Sequence, residues 1–117
     1  MTSMSARNHN PGNLRWSKFS RVRGAVEAPG NMAQWGSTIE GLSVMLALLS
    51  FPSYRVLSLK DAINRYAPTV DHNNPDRYVG FVAHRSGVEE TRRLDSLDPF
   101  EILRVVEAMI KFEGWEG

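Results

Sequence analysis

The 117-residue chain has the length of a single domain, carries a net charge of +1 and contains no cysteine. Without cysteine it cannot hold a disulfide scaffold, a thiol nucleophile or a thiolate zinc site. Its 42% hydrophobic and 23% charged residues are typical of a globular protein. We therefore expect one domain over residues 1–117, with a flexible arm at 1–7. The apolar runs are too short to span a membrane, and the polar first ten residues predict no signal peptide.

The small net charge conceals an uneven distribution along the chain. Residues 1–26 contain five cations and no acid, whereas residues 86–117 contain four cations and eight acids. A basic segment of this kind indicates a polyanionic partner, such as nucleic acid, a membrane surface or an anionic cell-wall polymer. The alternative is a solvated surface that keeps the protein soluble.

Helix-start signals predict a mainly α fold. Residues 1–36 are rich in Asn, Gly, Pro and Arg, which indicates irregular structure or a short hairpin. Capping boxes and proline at the first helical position then mark four helices. The predicted helices start at Ser37, Ser58, Asn74 and Asp98 and end near residues 49, 67, 87 and 114. Strand signals are weak, so we expect a small helical domain.

The fourth predicted helix carries an apolar stripe that leads to an acidic residue. Five aliphatic side chains form the stripe: Ile102, Val105, Val106, Met109 and Ile110. Its continuation reaches Glu113, where partial burial and the negative end of the helix dipole would raise the pKa of the carboxyl group. A carboxyl group that stays protonated near neutral pH can act as the general acid in glycosidic cleavage. The alternative is a solvated glutamate at a frayed helix end.

Two polar clusters could bind a hydroxyl-rich ligand. Residues 7–15 hold three asparagines around a Pro-Gly turn, and their amides can both donate and accept hydrogen bonds. The second cluster consists of Tyr66, Asp71, His72, Asn73, Asn74 and Tyr78. Both clusters would equally suit turns, caps and helix packing. The histidine spacing predicts no metal site, and the motifs of serine hydrolases and phosphate-binding loops are missing.

Four segments occur in an order that resembles a known family. They are Asn8-His9-Asn10-Pro11-Gly12-Asn13-Leu14-Arg15, then Trp35 with Gly41, then Arg65-Tyr66-Ala67-Pro68 with Asn73-Asn74 and Tyr78, and finally Ile110-Lys111-Phe112-Glu113-Gly114. Together they resemble small phage and prophage virion proteins with lysozyme-like, peptidoglycan-degrading activity, including the structural lysin of enveloped double-stranded RNA phages. The segment Glu113-Gly114-Trp115-Glu116-Gly117 is also similar to one in autolysin-type glucosaminidases, in a rotated order that a circular permutation would produce.

The resemblance implies a lysozyme-like domain that cleaves peptidoglycan glycan strands without a cofactor, as a muramidase, a glucosaminidase or a lytic transglycosylase. It implies that Glu113 is the general acid. It also implies that Tyr78 stabilises positive charge or orients an acetamido group. The implied substrate-binding residues are Asn10, Asn13, Arg15, Tyr66, Asn73 and Asn74. Candidates for a second carboxylate are Glu27, Asp71 and Glu116.

The same resemblance implies a place of action and partners. A virion or prophage protein of this type would act in the bacterial periplasm or cell wall, where other virion or secretion-apparatus proteins would accompany it. The alternative comes from a different class: a non-catalytic virion or nucleic-acid-associated protein that uses the N-terminal arginine-rich segment. Salt distinguishes the two, because phosphate binding weakens steeply as salt rises.

Overall fold

A computed structural model describes residues 7–67 and 74–114 of the chain. Within these residues the predicted mainly helical fold is confirmed, with six α-helices and one antiparallel hairpin. The elements in chain order are α1 (Lys18–Val22), β1 (Val26–Ala28), β2 (Met32–Gln34), α2 (Thr38–Leu49), α3 (Pro52–Arg55), α4 (Leu59–Tyr66), α5 (Pro75–Ser86), a 3₁₀ turn (Leu94–Ser96) and α6 (Pro99–Phe112).

The four long helices begin at the predicted caps. The Ser58 hydroxyl accepts a hydrogen bond from the Asp61 amide, and the Asn74 side chain accepts one from the Arg77 amide. Asp98 and Glu101 accept hydrogen bonds from each other's backbone amides, which completes a capping box for α6. The caps use amides that a helix end otherwise leaves without partners, and this is why they fix the starts so well. The short helices α1 and α3 were not predicted.

The described chain forms two compact units. The first contains residues 7–48 together with 113 and 114. The β1–β2 hairpin pairs Val26 with Gln34 and Ala28 with Met32, and an isolated bridge joins Arg15 to Met32. The buried side chains of this unit surround Trp35, with Leu14, Trp16 and Phe19 packed at the margin. The hairpin and the N-terminal segment therefore share one small core.

The second unit contains residues 49–67 and 74–112, and the pairing of α5 with α6 is its main packing contact. The two helices bury Val82 and Tyr78 from α5 and Val105, Val106 and Met109 from α6. Full burial of each such side chain contributes about 1.5–3 kcal/mol. At the other end of the unit, the Leu59 amide donates to the Arg92 carbonyl at 2.8 Å. That bond joins the start of α4 to the segment before α6.

Candidate functional site

The asparagine loop of the first unit is held closed by Asn10. Its side-chain amide donates to the Leu14 carbonyl at 2.8 Å and to the Ala33 carbonyl at 3.0 Å, and its Oδ1 accepts from the Leu14 amide at 2.9 Å. The Asn13 amide also donates to the Asn10 carbonyl, which closes the predicted turn around Pro11 and Gly12. Asn10 is only 1% exposed. The Asn10 side chain therefore stabilises the conformation of the loop.

The segment before the loop is fixed by Trp35. The Trp35 amide donates to the Asn8 carbonyl at 3.0 Å, and its carbonyl lies 3.0 Å from His9 Nδ1. On the other side, Gly41 of α2 lies against the His9 backbone, where a Cβ atom at position 41 would stand 2.1 Å from the His9 carbonyl oxygen. Only glycine allows this approach. Trp35 and Gly41, which the resemblance had paired, both position the loop.

Asn13 joins the loop to the end of the described chain. Its side-chain amide donates a hydrogen bond to the backbone carbonyl of Glu113 at 3.1 Å, across 100 positions of sequence. Asn13 adopts a positive φ of 52°, a conformation that asparagine tolerates better than most residues. Its Oδ1 is buried and receives no hydrogen bond from the described residues. Two predicted site residues, Asn13 and Glu113, therefore lie together.

The sequence predicts Glu113 in the last turn of the final helix, whereas in the structure it lies one residue beyond the end of that helix. The helix α6 ends at Phe112, so Glu113 belongs to the turn that follows rather than to the last helical turn. Its side chain is half-buried, and Gly114 follows with a positive φ of 90°. A glycine in this conformation is a common helix stop. The stop holds the Glu113 backbone at the end of α6, close to the negative end of the helix dipole.

Tyr78 lies in the second unit and is fully buried. Its ring stacks on Phe112 at a centroid distance of 4.1 Å and meets Tyr66 edge-on at 6.5 Å. Such aromatic pairs stabilise a core by about 0.5–1.5 kcal/mol beyond burial. These contacts give Tyr78 and Tyr66 a packing role, and a catalytic role for Tyr78 stays a prediction.

The remaining predicted residues are spread over both units. Arg15 and Glu27 are exposed in the first unit, with Glu27 on β1. Asn74 caps α5 in the second unit. Asn73 and two of the candidate carboxylates, Asp71 and Glu116, lie outside the described residues. The roles of these residues in binding or catalysis stay predictions.

One groove was missed by the sequence interpretation. It lies in the second unit, has a volume of about 610 Å³ and is lined by Arg77, Phe81, Lys111 and Phe112. Arg77 and Phe81 are four residues apart on α5, a spacing that places both on one helix face. That spacing was a usable signal, but nothing in the sequence paired this face with the end of α6.

No protein family matches the sequence, and no curated protein does either. In the described part of the chain, no three histidine, aspartate or glutamate side chains are grouped so that they could hold a metal ion. The helices of residues 7–67 and 74–114 are also too short, or too polar, to cross a membrane.

Proposed function

We propose that this protein cleaves the glycosidic bonds of peptidoglycan glycan strands, with Glu113 as the general acid. The observation that supports the proposal is the hydrogen bond from Asn13 to the Glu113 carbonyl. It brings the asparagine loop and the terminal glutamate together, as the resemblance to phage lytic proteins requires. A general acid needs a fixed position relative to the groups that hold its substrate, and this hydrogen bond fixes the Glu113 backbone from which the carboxyl group extends.

In the proposed reaction the Glu113 carboxyl group donates its proton to the glycosidic oxygen as the bond from that oxygen to C1 breaks. Positive charge then develops on the sugar ring and is quenched by water or by a hydroxyl group of the sugar itself. The Glu113 carboxylate accepts the proton that this nucleophile releases, so the acid is regenerated. Attack by water gives a reducing end, and internal attack by the 6-hydroxyl gives an anhydro end.

Asn13 is the better candidate than Asn10 for direct contact with substrate. The Asn10 side chain already makes three hydrogen bonds within the protein, including both of its N–H donors, whereas Asn13 Oδ1 receives no donor from the described residues. A buried acceptor without a donor is costly. Unlike Tyr78, Asn13 is only half-buried as a residue, so a ligand N–H that displaced the atoms covering Oδ1 would remove that cost. The acetamido N–H of an N-acetylated sugar has the required chemistry.

The experiment is a turbidity assay on purified cell walls, with mass analysis of the released fragments. Glu113→Gln keeps the shape of the side chain but cannot donate the proton, so we expect a loss of activity of at least about 100-fold with an unchanged melting temperature. Glu107→Gln is the matched control, because Glu107 is an exposed glutamate on α6, the helix that precedes Glu113. Wild-type activity in Glu113→Gln would remove the proposal.

A second candidate function is the binding of a polyanion by the N-terminal basic segment. Lys18 and Arg21 are both exposed on the short helix α1. This function would bind nucleic acid with an affinity that falls steeply with salt, and it would not depend on Glu113. A filter-binding titration from 50 to 200 mM salt, about the range over which phosphate contacts weaken markedly, separates it from glycan cleavage.

A further inference from the structure

We propose that the groove lined by Arg77, Phe81, Lys111 and Phe112 binds an acidic peptide, namely the stem peptide that peptidoglycan carries on its glycan strand. This inference rests on the proposed function for the identity of the ligand. Its physical basis is independent and lies in the side chains of one unit. The groove joins two cations from different helices to two aromatic rings.

The two cations are available to a ligand. Arg77 and Lys111 are exposed, and neither side chain forms an ion pair with an acid in the described residues. The arginines that serve the fold are paired instead: Arg92 binds Glu101 at 3.2 Å, and Arg93 binds Asp95. Two cations at one groove, each without an acidic partner among residues 7–67 and 74–114, favour a ligand with separate negative groups. A guanidinium group binds a carboxylate through two parallel hydrogen bonds.

The rings add an apolar surface between these charges. Phe81 is 36% exposed, and its ring centroid lies 5.5 Å from that of Phe112. Arg85 covers part of Phe81 at a distance of 6.0 Å from the ring centroid. The open part of the ring suits small aliphatic groups. A stem peptide presents both features, because it carries free carboxylates between alanine methyl groups.

The charges beside the groove favour this ligand over a nucleic acid. Asp76 precedes Arg77 on α5, and Glu107 lies one turn before Lys111 on α6; both are exposed. Glu107 shares the helix face of Lys111 and pairs with Arg85 at 3.9 Å, so the cations near the groove do not form the continuous basic surface that a line of phosphates would contact. A short peptide with a few carboxylates can bind the two cations and avoid the acids. The volume of about 610 Å³ also suits a small ligand.

The test is an NMR titration of the full chain with a synthetic stem tetrapeptide whose carboxylates are free. We expect shifts at residues 77, 81 and 111. Either Arg77→Gln or Lys111→Gln should weaken the affinity about three- to fivefold, as loss of an exposed charge pair does. Lys60→Gln is the matched control, since it removes an exposed cation of the same unit that does not line the groove.

A peptide with amidated carboxylates supplies the chemical control. It should bind the wild-type chain as weakly as the acidic peptide binds a variant that combines Arg77→Gln with Lys111→Gln. Equal affinity for both peptides would overturn the inference. So would tighter binding of an oligothymidylate with the same dependence on Arg77 and Lys111, which would assign the groove to phosphates. The tetrapeptide contains no glycosidic bond, so this result is separate from the Glu113 assay. If the chain binds the peptide but does not cleave walls, the proposed glycosidase activity is refuted and the proposed peptide binding is not.

Discussion

The side-chain amide of Asn13 donates a hydrogen bond to the backbone carbonyl of Glu113, 3.1 Å away and 100 positions along the chain. A bond over so long a sequence separation carries a high entropic cost, and it persists because both partners are fixed locally. Asn13 is held in the turn that Asn10 closes, and Glu113 is held between α6 and Gly114. This pair defines the candidate site.

Asn13→Gly tests whether the bond positions the proposed acid. Glycine suits the positive φ of residue 13, so the variant removes the hydrogen bond without adding backbone strain. We expect a loss of about 0.5–1.5 kcal/mol in the free energy of unfolding. Wall cleavage should fall about five- to tenfold, because the glutamate backbone becomes less fixed and the proposed contact of Asn13 Oδ1 with substrate is lost.

The control for that variant is Asn64→Ala. Asn64 makes the same kind of bond, from its side-chain amide to the Lys60 carbonyl at 2.9 Å, but within α4. Its loss should leave wall cleavage unchanged. If Asn13→Gly and Asn64→Ala cleave equally well, the Asn13 bond has no part in positioning the acid.

Gly41→Ala should destabilise the protein, although alanine usually stabilises a helix. A Cβ atom at residue 41 would stand 2.1 Å from the His9 carbonyl oxygen, so the loop backbone must shift. We expect a loss of about 1–3 kcal/mol in the free energy of unfolding in urea. Gly80→Ala is the matched control on α5, since a Cβ atom there meets nothing within 4 Å. It should gain about 0.5–1 kcal/mol, and equal gains in both variants would contradict the packing argument.

The sequence predicted the long helices well because their limits are set locally. Asn74 with Pro75 and Asp98 with Glu101 satisfy helix-end amides within a few residues, so no distant contact is needed. The helix α1 escaped prediction because its cap is made by two serines: Ser17 and Ser20 accept from each other's backbone amides. A serine at the third position is a weaker signal than glutamate.

The candidate site was only partly predictable, because its contacts join residues that are distant in sequence. The prediction that Asn10 binds substrate came from its residue type, and that type does not reveal the bond to Ala33 at 3.0 Å, a partner 23 positions away. The burial of Tyr78 likewise depends on Phe112 of another helix. The groove of Arg77 and Lys111 appears only when α5 and α6 are placed side by side. Residue type indicated polar chemistry, and packing decided which atoms remained available for it.

Glu101 gives the protein a specific acid sensitivity. The Asp98 backbone amide, which donates to its carboxylate, and then the Arg92 guanidinium hold the pKa of Glu101 below its usual range. A lowered pKa in the folded state means that this stabilisation is present above the unfolded pKa and is lost as the pH falls through the folded value. Unfolding in urea between pH 7 and 3 should therefore show stability that declines as Glu101 takes up its proton.

Glu101→Gln should decline less over the same range, because the glutamine has no proton to take up. Arg92→Gln should reduce the pH dependence without abolishing it, since the Asp98 amide is the larger cause of the lowered pKa. Identical slopes for the wild type and Glu101→Gln would show that the capping box does not contribute to acid unfolding.

Tyr78 separates packing from catalysis most directly, because its ring and its hydroxyl group can be removed one at a time. The ring is fully buried between Tyr66 and Phe112, so we expect Tyr78→Ala to lose about 3–5 kcal/mol of stability, as large aromatic deletions in cores do.

Tyr78→Phe keeps the stacked ring. Because a fully buried side chain offers no surface to a substrate, we expect this variant to retain wall cleavage within about threefold, a change too small for the loss of a transition-state contact. Thermal unfolding and the wall assay measure the two effects on the same samples. A Tyr78→Phe variant with a wild-type melting temperature and strongly reduced cleavage would contradict the packing role. It would support the charge-stabilising role that the resemblance implies for the Tyr78 hydroxyl group.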